Sequence, residues 1–207
     1  MYFLLHMELR DVEAKIQDLF STKAIVKARE LTENGINPAQ IQRLVKTGKL
    51  VHPSRGIYMI PDSEITEHHS MLEVQQKVDK GVICLLSALH FHDIGTQIPH
   101  AVWIAIPRNA KIPRIVTPRI EVRKFSGPSY SEGITTEKIR GIEVKVYSAA
   151  KTVADCFKYR NKIGLDVALE ALRDVIQRKI TTTDEILKYA QICRVKNVIM
   201  PYMEAMV

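Results

Sequence analysis

The chain has 207 residues, 46% hydrophobic and 26% charged, which excludes a disordered or fibrous protein and leaves room for two domains. Thirty basic residues against 23 acidic ones give a net charge of +7, which favours polyanionic partners such as nucleic acids. No stretch reaches the roughly 18 apolar residues of a membrane span, so we expect no membrane association. The start lacks a basic leader, and three scattered cysteines fit no metal-site spacing, so we expect a protein of the reducing cytoplasm without a cofactor.

The first part of the chain predicts two consecutive helices. Apolar residues recur every three to four positions in LRDVEAKIQDLF, the pattern of one helix face. Ser21 or Thr22 is expected to cap a second helix that runs through KAIVKARELTEN. Gly35 then supplies the left-handed residue that ends it.

A third helix has the strongest local signal in the sequence. Asn37 is an expected N-cap, Pro38 suits the first helical position, and Gln40 completes a capping box. The helix is predicted over residues 38–47. Its buried stripe is predicted to consist of Ile41, Leu44 and Val45.

The segment KLVHPSRGIYMI follows as two β-rich runs around a Pro53-Ser54-Arg55-Gly56 turn, which predicts a hairpin. Three helices and a hairpin make a winged helix-turn-helix, which we assign to residues 1–62. The polar run PDSEITE, with a helix start at Thr66, marks the expected boundary to a second domain at 63–207.

The second domain is predicted to be α+β. EHHSMLEVQQKVDKG and ICLLSALHFHDIG are two expected helices, whereas AVWIAIP, RIEVRKF and GIEVKVY are expected strands of a small sheet. Ser148 and a Thr182–Glu185 capping box introduce helices in the last part of the chain. The predicted fold class is therefore α+β, with an N-terminal winged helix-turn-helix, a small sheet and a C-terminal helical bundle.

The outward face of the third helix carries residue types that read DNA. A helix fits the major groove, where Arg pairs with guanine and Gln with adenine, and cations on the hairpin neutralise phosphates. No Asp or Glu occurs between residues 40 and 60. The Tyr58 hydroxyl either donates a hydrogen bond to a DNA phosphate, or Tyr58 is a core residue of the hairpin. The candidate DNA-binding residues are Asn37, Gln40, Gln42, Arg43, Lys46, Lys49, Arg55 and Tyr58.

Three blocks, in this order, resemble the AbiEi-like antitoxins, often described as predicted transcriptional regulators of viral defence systems. The resemblance covers about Leu31 to Lys158. The first block ends in Arg-Gly-Ile-Tyr, the second contains Leu-Ser-Ala-Leu, and the third is Tyr-Ser-x-x-Lys-Thr-x-x-Asp. They read ELTENGINPAQIQRLVKTGKLVHPSRGIYMI, LLSALHFHDIGTQIPHAVWIAIPR and VKVYSAAKTVADCF.

This resemblance implies a bacterial protein of a type IV toxin–antitoxin system, active in abortive infection and phage defence. Its amino-terminal domain would bind double-stranded operator DNA and repress its own operon, as a monomer or a dimer. Its carboxy-terminal domain would counteract a nucleotidyltransferase-like toxin without a stable complex. We expect no catalytic activity of the protein's own. From about residue 165 onward, the sequence resembles the family only in its general character.

A second basic segment lies in the predicted second domain, where six cations face one acid, Glu121. Three interpretations of this segment stay open. It would add phosphate contacts to the DNA complex, bind a nucleic acid connected with the toxin's substrate, or be a basic loop exposed to solvent. Its cations are Arg108, Lys111, Arg114, Arg119, Arg123 and Lys124.

Two alternatives from other functional classes stay open. Glu143 and Lys145 resemble the Glu-x-Lys of metal-dependent nucleases, with Glu121 as the candidate for the further acidic ligand. A winged helix can also be a protein-interaction module without DNA binding.

Two other motifs are interpreted as structural. His90 and Asp93 could share a helix face as metal ligands, but no HExxH-like partner accompanies them, so we predict no metal site. Ser148 with Lys151 is interpreted as an N-cap followed by a first-turn lysine, because no oxyanion-type glycine loop accompanies the pair.

Overall fold

The computed structural model describes residues 2–61 and 69–206, and for residues 2–10 it describes the backbone only. The chain forms two compact units: Met1–Gln76 with Lys138–Glu143, and Lys77–Glu137 with Val144–Val207. The first unit thus takes in more of the chain than the predicted 1–62. The predicted boundary at residue 62 and the helix start at Thr66 lie outside the described residues.

The first unit has the element order of a winged helix. The elements are α1 (Tyr2–Thr22), β1 (Val26–Lys27), α2 (Ala28–Glu33), α3 (Pro38–Lys46), β2 (Val51–Ser54), β3 (Ile57–Met59) and α4 (His69–Lys77). Strand β1 pairs with β3 and β3 with β2, all antiparallel, so the sheet order is β1-β3-β2.

The predicted cap of the second helix at Ser21 or Thr22 is wrong. Helix α1 continues through Thr22, and the residues that follow form β1 before α2 begins. The physical reason is that Ile25 and Val26 are β-branched and fully buried, and Val26 pairs with Tyr58 in the hairpin. Helix α2 instead gains its first-turn contact from Glu30, whose carboxylate accepts the Lys27 backbone N–H at 2.8 Å.

The core of this unit combines buried apolar residues of its helices with Val26 of β1 and the loop residues Ile36 and Leu50. The predicted stripe of α3 is confirmed at its two central positions, since Ile41 and Leu44 are 4% and 3% exposed. Val45 is half-buried against the same cluster. The cluster consists of Val12, Ile16, Val26, Leu31, Ile36, Ile41, Leu44 and Leu50.

The other sheet has five strands in the order β6-β5-β4-β8-β7. Strand β4 is antiparallel to β5 and parallel to β8, and β5 is parallel to β6. The expected strands β5, β6 and β8 are present, whereas β4 lies at the start of a predicted helix and β7 was not predicted. The strands are β4 (Val82–Ile83), β5 (Val102–Pro107), β6 (Ile120–Phe125), β7 (Ile134–Ile139) and β8 (Ile142–Tyr147).

Helices complete the second unit, and the fold class is α+β. Ser148 caps α7, and Thr182 and Glu185 form the predicted capping box at the start of α10. Helix α7 is central, because its residues from Ala150 to Phe157 are all buried. The helices are α5 (Leu85–Phe91), α6 (Pro128–Ser131), α7 (Ala149–Lys158), α8 (Arg160–Ile163), α9 (Leu165–Gln177), α10 (Thr183–Ile192) and α11 (Lys196–Glu204).

Candidate nucleic-acid interface

Helix α3 presents three exposed polar side chains on the face opposite its buried stripe. Gln42, Arg43 and Lys46 are exposed, whereas Ile41 and Leu44 pack into the core. The burial of the stripe fixes the rotation of the helix about its axis, so the outward direction of the three side chains follows from packing. Among the residues that the structure describes, neither cation has an acidic partner.

Asn37 and Gln40 form the capping box of α3. The Gln40 backbone N–H donates to Asn37 Oδ1 at 2.9 Å, and the Asn37 backbone N–H donates to Gln40 Oε1 at 2.9 Å. Both side-chain oxygens are therefore engaged at the start of the helix. A bidentate contact of Gln40 with adenine needs both its oxygen and its amide N–H, so the predicted base-reading role of Gln40 would require opening the capping box.

Lys49 differs from the other cations of this surface. Its ammonium group pairs with the carboxylate of Glu13 on α1. The inference that no acid opposes the positive charges of residues 40–60 is therefore wrong in three dimensions, because the opposing acid comes from another helix. Counting charges along the sequence misses such a partner 36 positions away.

The wing, defined as the hairpin Val51–Met59, holds the other predicted contacts. Arg55 is exposed in the turn between β2 and β3. Tyr58 is half-buried, packs against the core cluster and stacks on the His52 ring, with 4.8 Å between ring centroids. The packing of the Tyr58 ring therefore favours the interpretation of Tyr58 as a core residue of the hairpin.

The second basic segment connects the parallel strands β5 and β6 and continues into β6. Arg108, Lys111, Arg114, Arg119 and Lys124 are exposed there. The segment is anchored through its backbone: Lys77 Nζ donates to the Thr117 carbonyl at 2.8 Å.

Arg123 does not belong to the exposed set of this segment. Its guanidinium lies 4.6 Å from the centroid of the Trp103 ring, pairs with Glu121 at 3.3 Å and donates to the Val122 carbonyl at 2.9 Å. Three protein partners already engage the guanidinium, so a phosphate would have to displace them before it could bind Arg123.

The nuclease alternative depends on Glu121 and Lys145 approaching each other, and the sheet order separates them. Glu121 is on β6 and Lys145 on β8, with β5 and β4 in between. Three strand spacings amount to roughly 14 Å. Lys145 Nζ instead donates to the Asp79 carbonyl at 3.0 Å.

No group of three potential metal-binding side chains occurs within residues 2–61 and 69–206. His92, next to the discounted ligand candidates His90 and Asp93, lies 2.7 Å from the Tyr147 carbonyl through Nε2. Burial lowers the pKa of His92, so its ring stays neutral at neutral pH.

The Tyr-Ser-x-x-Lys-Thr-x-x-Asp motif is buried except for Ser148, which is half-buried. Lys151 and Asp155 are 0% exposed and pair at 2.5 Å across one helical turn of α7. The Lys151 ammonium lies 4.2 Å from the centroid of the Tyr147 ring, and the thiol of Cys193 donates to Asp155 at 3.1 Å. Burial raises the pKa of the Cys193 thiol to about 12, so it remains a donor.

This buried pair corrects the interpretation of Lys151 as an ordinary first-turn lysine. The N-cap part of that interpretation is confirmed, since Ser148 Oγ accepts the Lys151 backbone N–H at 3.3 Å. The side chain, however, points into the core, where it joins α7 to the aromatic residues of the sheet. The Lys-x-x-x-Asp spacing was the available signal, because residues four apart share a helix face.

In the described part of the chain, every helix is too short or too polar to cross a bilayer. No protein-family model and no curated protein matches the chain. Among solved structures it is similar to the Rv2827c protein from Mycobacterium tuberculosis, with a TM-score of 0.63 over 87% of this chain and 69% of that one. The two sequences are 12% identical, so this similarity is one of fold.

Proposed function

We propose that the protein is a DNA-binding transcriptional autorepressor and the antitoxin of a type IV toxin–antitoxin operon. The observation that carries the DNA-binding part is the outward face of α3, where Gln42, Arg43 and Lys46 are exposed and neither cation has an acidic partner among the described residues. No catalytic step belongs to this function. The proposed site of action is the bacterial cytoplasm.

In the proposed complex α3 lies in the major groove. Arg43 and Gln42 carry side chains that pair with guanine and adenine edges, and Lys46 and Arg55 carry charges for the flanking phosphates. Asn37 fixes the start of the helix through its cap and so sets the register indirectly. The dimer or pair of monomers that reads two half-sites would follow the symmetry of the operator.

The antitoxin part of the proposal comes from the resemblance to AbiEi-like antitoxins. The second unit would then counteract a nucleotidyltransferase-like toxin without a stable complex. The exposed cations of the 108–124 segment are the residues of that unit best suited to a polyanionic partner.

A reporter gene fused to the DNA upstream of the protein's own gene tests autorepression in cells. The wild type is expected to repress it, and Arg43→Ala to release repression. Arg173→Ala is the matched control, because Arg173 is an exposed arginine on α9 and its loss changes the net charge equally. Equal repression by all three proteins would refute α3 as the reader.

The antitoxin part has its own test. The neighbouring toxin gene is expressed with the wild type, with Arg43→Ala, or with a variant in which the exposed Arg108, Lys111 and Arg114 are all replaced by Ala. Growth rescue by the first two and not by the third is expected if the two activities reside in separate parts of the chain. Failure of the wild type to rescue growth would refute the antitoxin assignment and leave the repressor assignment intact.

A further inference from the structure

His52, the second residue of β2, contacts both other parts of the wing. Its Nε2 accepts a hydrogen bond from the Gly56 backbone N–H at 3.2 Å. Its ring also stacks on Tyr58 of β3, with the two planes inclined by 27°. One imidazole therefore links the first strand, the turn and the second strand of the hairpin.

The turn depends on such a side-chain contact because its backbone pairing is irregular. The register between β2 and β3 shifts between Val51 and Ser54, and Pro53 has no N–H to donate. Gly56, which has a φ of +76°, closes the turn. Its N–H bonds to His52, and its carbonyl accepts the Ala28 N–H at 2.9 Å.

These two hydrogen bonds fix the peptide groups on both sides of Gly56, the residue directly after Arg55. The Arg55 side chain is exposed and has no acidic partner within the described residues. A cation that contacts a phosphate must reach one position reproducibly, since a loosely held side chain loses more conformational entropy on binding. The turn that bears Arg55 therefore determines how well this arginine can serve a DNA complex.

We propose that His52 is a positioning residue of the DNA interface, which holds the wing turn so that Arg55 meets a DNA phosphate. Nε2 accepts the Gly56 N–H through its lone pair. This role rests on the proposed DNA binding. Glutamine can place a carbonyl oxygen near the position of Nε2, whereas alanine leaves the Gly56 N–H without this acceptor.

A double-mutant cycle tests the role by fluorescence anisotropy with the DNA upstream of the protein's own gene. The proteins are wild type, His52→Ala, Arg55→Ala, the double variant and His52→Gln. We expect Arg55→Ala to weaken binding about tenfold and His52→Ala about fivefold, the worth of one charge-assisted and one neutral hydrogen bond. The double variant should bind no more weakly than Arg55→Ala, and His52→Gln within about twofold of wild type.

A readout without DNA accompanies the cycle. The Gly56 amide should exchange with solvent faster in His52→Ala than in wild type and recover protection in His52→Gln, and the melting temperature should fall by no more than about 4 °C in either variant. Additive losses in the double variant would overturn the positioning role, because His52 would then act independently of Arg55. No recovery in His52→Gln would overturn it as well. A wild type that does not distinguish this DNA from scrambled DNA would refute the proposed function itself, and the positioning role with it.

Discussion

Replacing Glu13 by Gln should strengthen DNA binding, because Glu13 holds the cation Lys49 beside the proposed recognition helix. The two side chains are partly exposed, at 39% and 51%, so their ion pair is a surface pair worth roughly 0.2–1 kcal/mol. A phosphate must displace Glu13 before it can use the Lys49 charge. Removing the carboxylate is therefore expected to raise DNA affinity by about 1.4- to 5-fold at low salt.

The salt dependence of binding gives the same prediction a second readout. If Lys49 gains a phosphate in the Glu13→Gln variant, one more counterion is released, and the slope of log K against log salt steepens by up to about 0.9. Fluorescence anisotropy over a salt series measures affinity and slope together. The free energy of unfolding should fall by no more than about 1 kcal/mol, since only the surface pair is lost.

Glu33→Gln is the matched control for this experiment. Glu33 also forms a surface pair, with Arg29 on α2, and its loss changes the net charge by the same amount. The control variant should show a smaller gain in affinity and an unchanged slope. Equal gains in the two variants would refute the local argument and indicate a general charge effect, and a folded Glu13→Gln variant with wild-type affinity would refute it too.

Three further predictions concern stability, each measured by thermal or denaturant unfolding. Asn37→Ala should lower the free energy of unfolding by about 1 kcal/mol, because the N-cap of α3 is lost. An unchanged unfolding midpoint would contradict the stabilising role of the capping box. Lys151→Met should cost about 3–5 kcal/mol at neutral pH, because it leaves the buried Asp155 carboxylate unpaired. Burial raises the pKa of Asp155 above its unfolded value and Lys151 opposes that shift, so the stability lost by the variant should be small below the unfolded pKa and grow as pH rises through the folded pKa; a pH-independent loss would contradict this. Gly48→Ala should lower the free energy of unfolding by about 1 kcal/mol, because Gly48 has a φ of +70° although no atom lies within 4 Å of an added Cβ. Gly141→Ala should cost roughly 1–3 kcal/mol more, because its added Cβ would lie 2.1 Å from the carbonyl oxygen at the end of α1; equal costs would contradict that close approach.

Local signals in the sequence predicted the elements whose ends are determined by nearby residues. The Asn37–Gln40 and Thr182–Glu185 capping boxes form as expected, and Ser148 caps α7. Each of these contacts joins residues three positions apart, so the information needed to predict them is contained in a short window.

Long-range contacts account for what the sequence did not predict. Strands β1 and β4 have two residues each, too few for an alternating pattern, and they are strands because partners elsewhere in the chain pair with them. Glu13 reaches Lys49 across 36 positions, so the candidate interface has one fewer unopposed cation than the sequence indicated. Lys151 is buried because aromatic rings and Asp155 surround its ammonium group, whereas its residue type alone favours the surface.

The central claim is that α3 reads DNA, and the selectivity of the purified protein tests it most directly. The measurement is the ratio of dissociation constants for scrambled DNA and for DNA upstream of its own gene, at one fixed salt concentration. We expect a ratio of about 10³ or more for the wild type and a fall of at least about tenfold in Arg43→Ala. A wild-type ratio near 1, with binding to both DNAs removed equally by salt, would contradict the account.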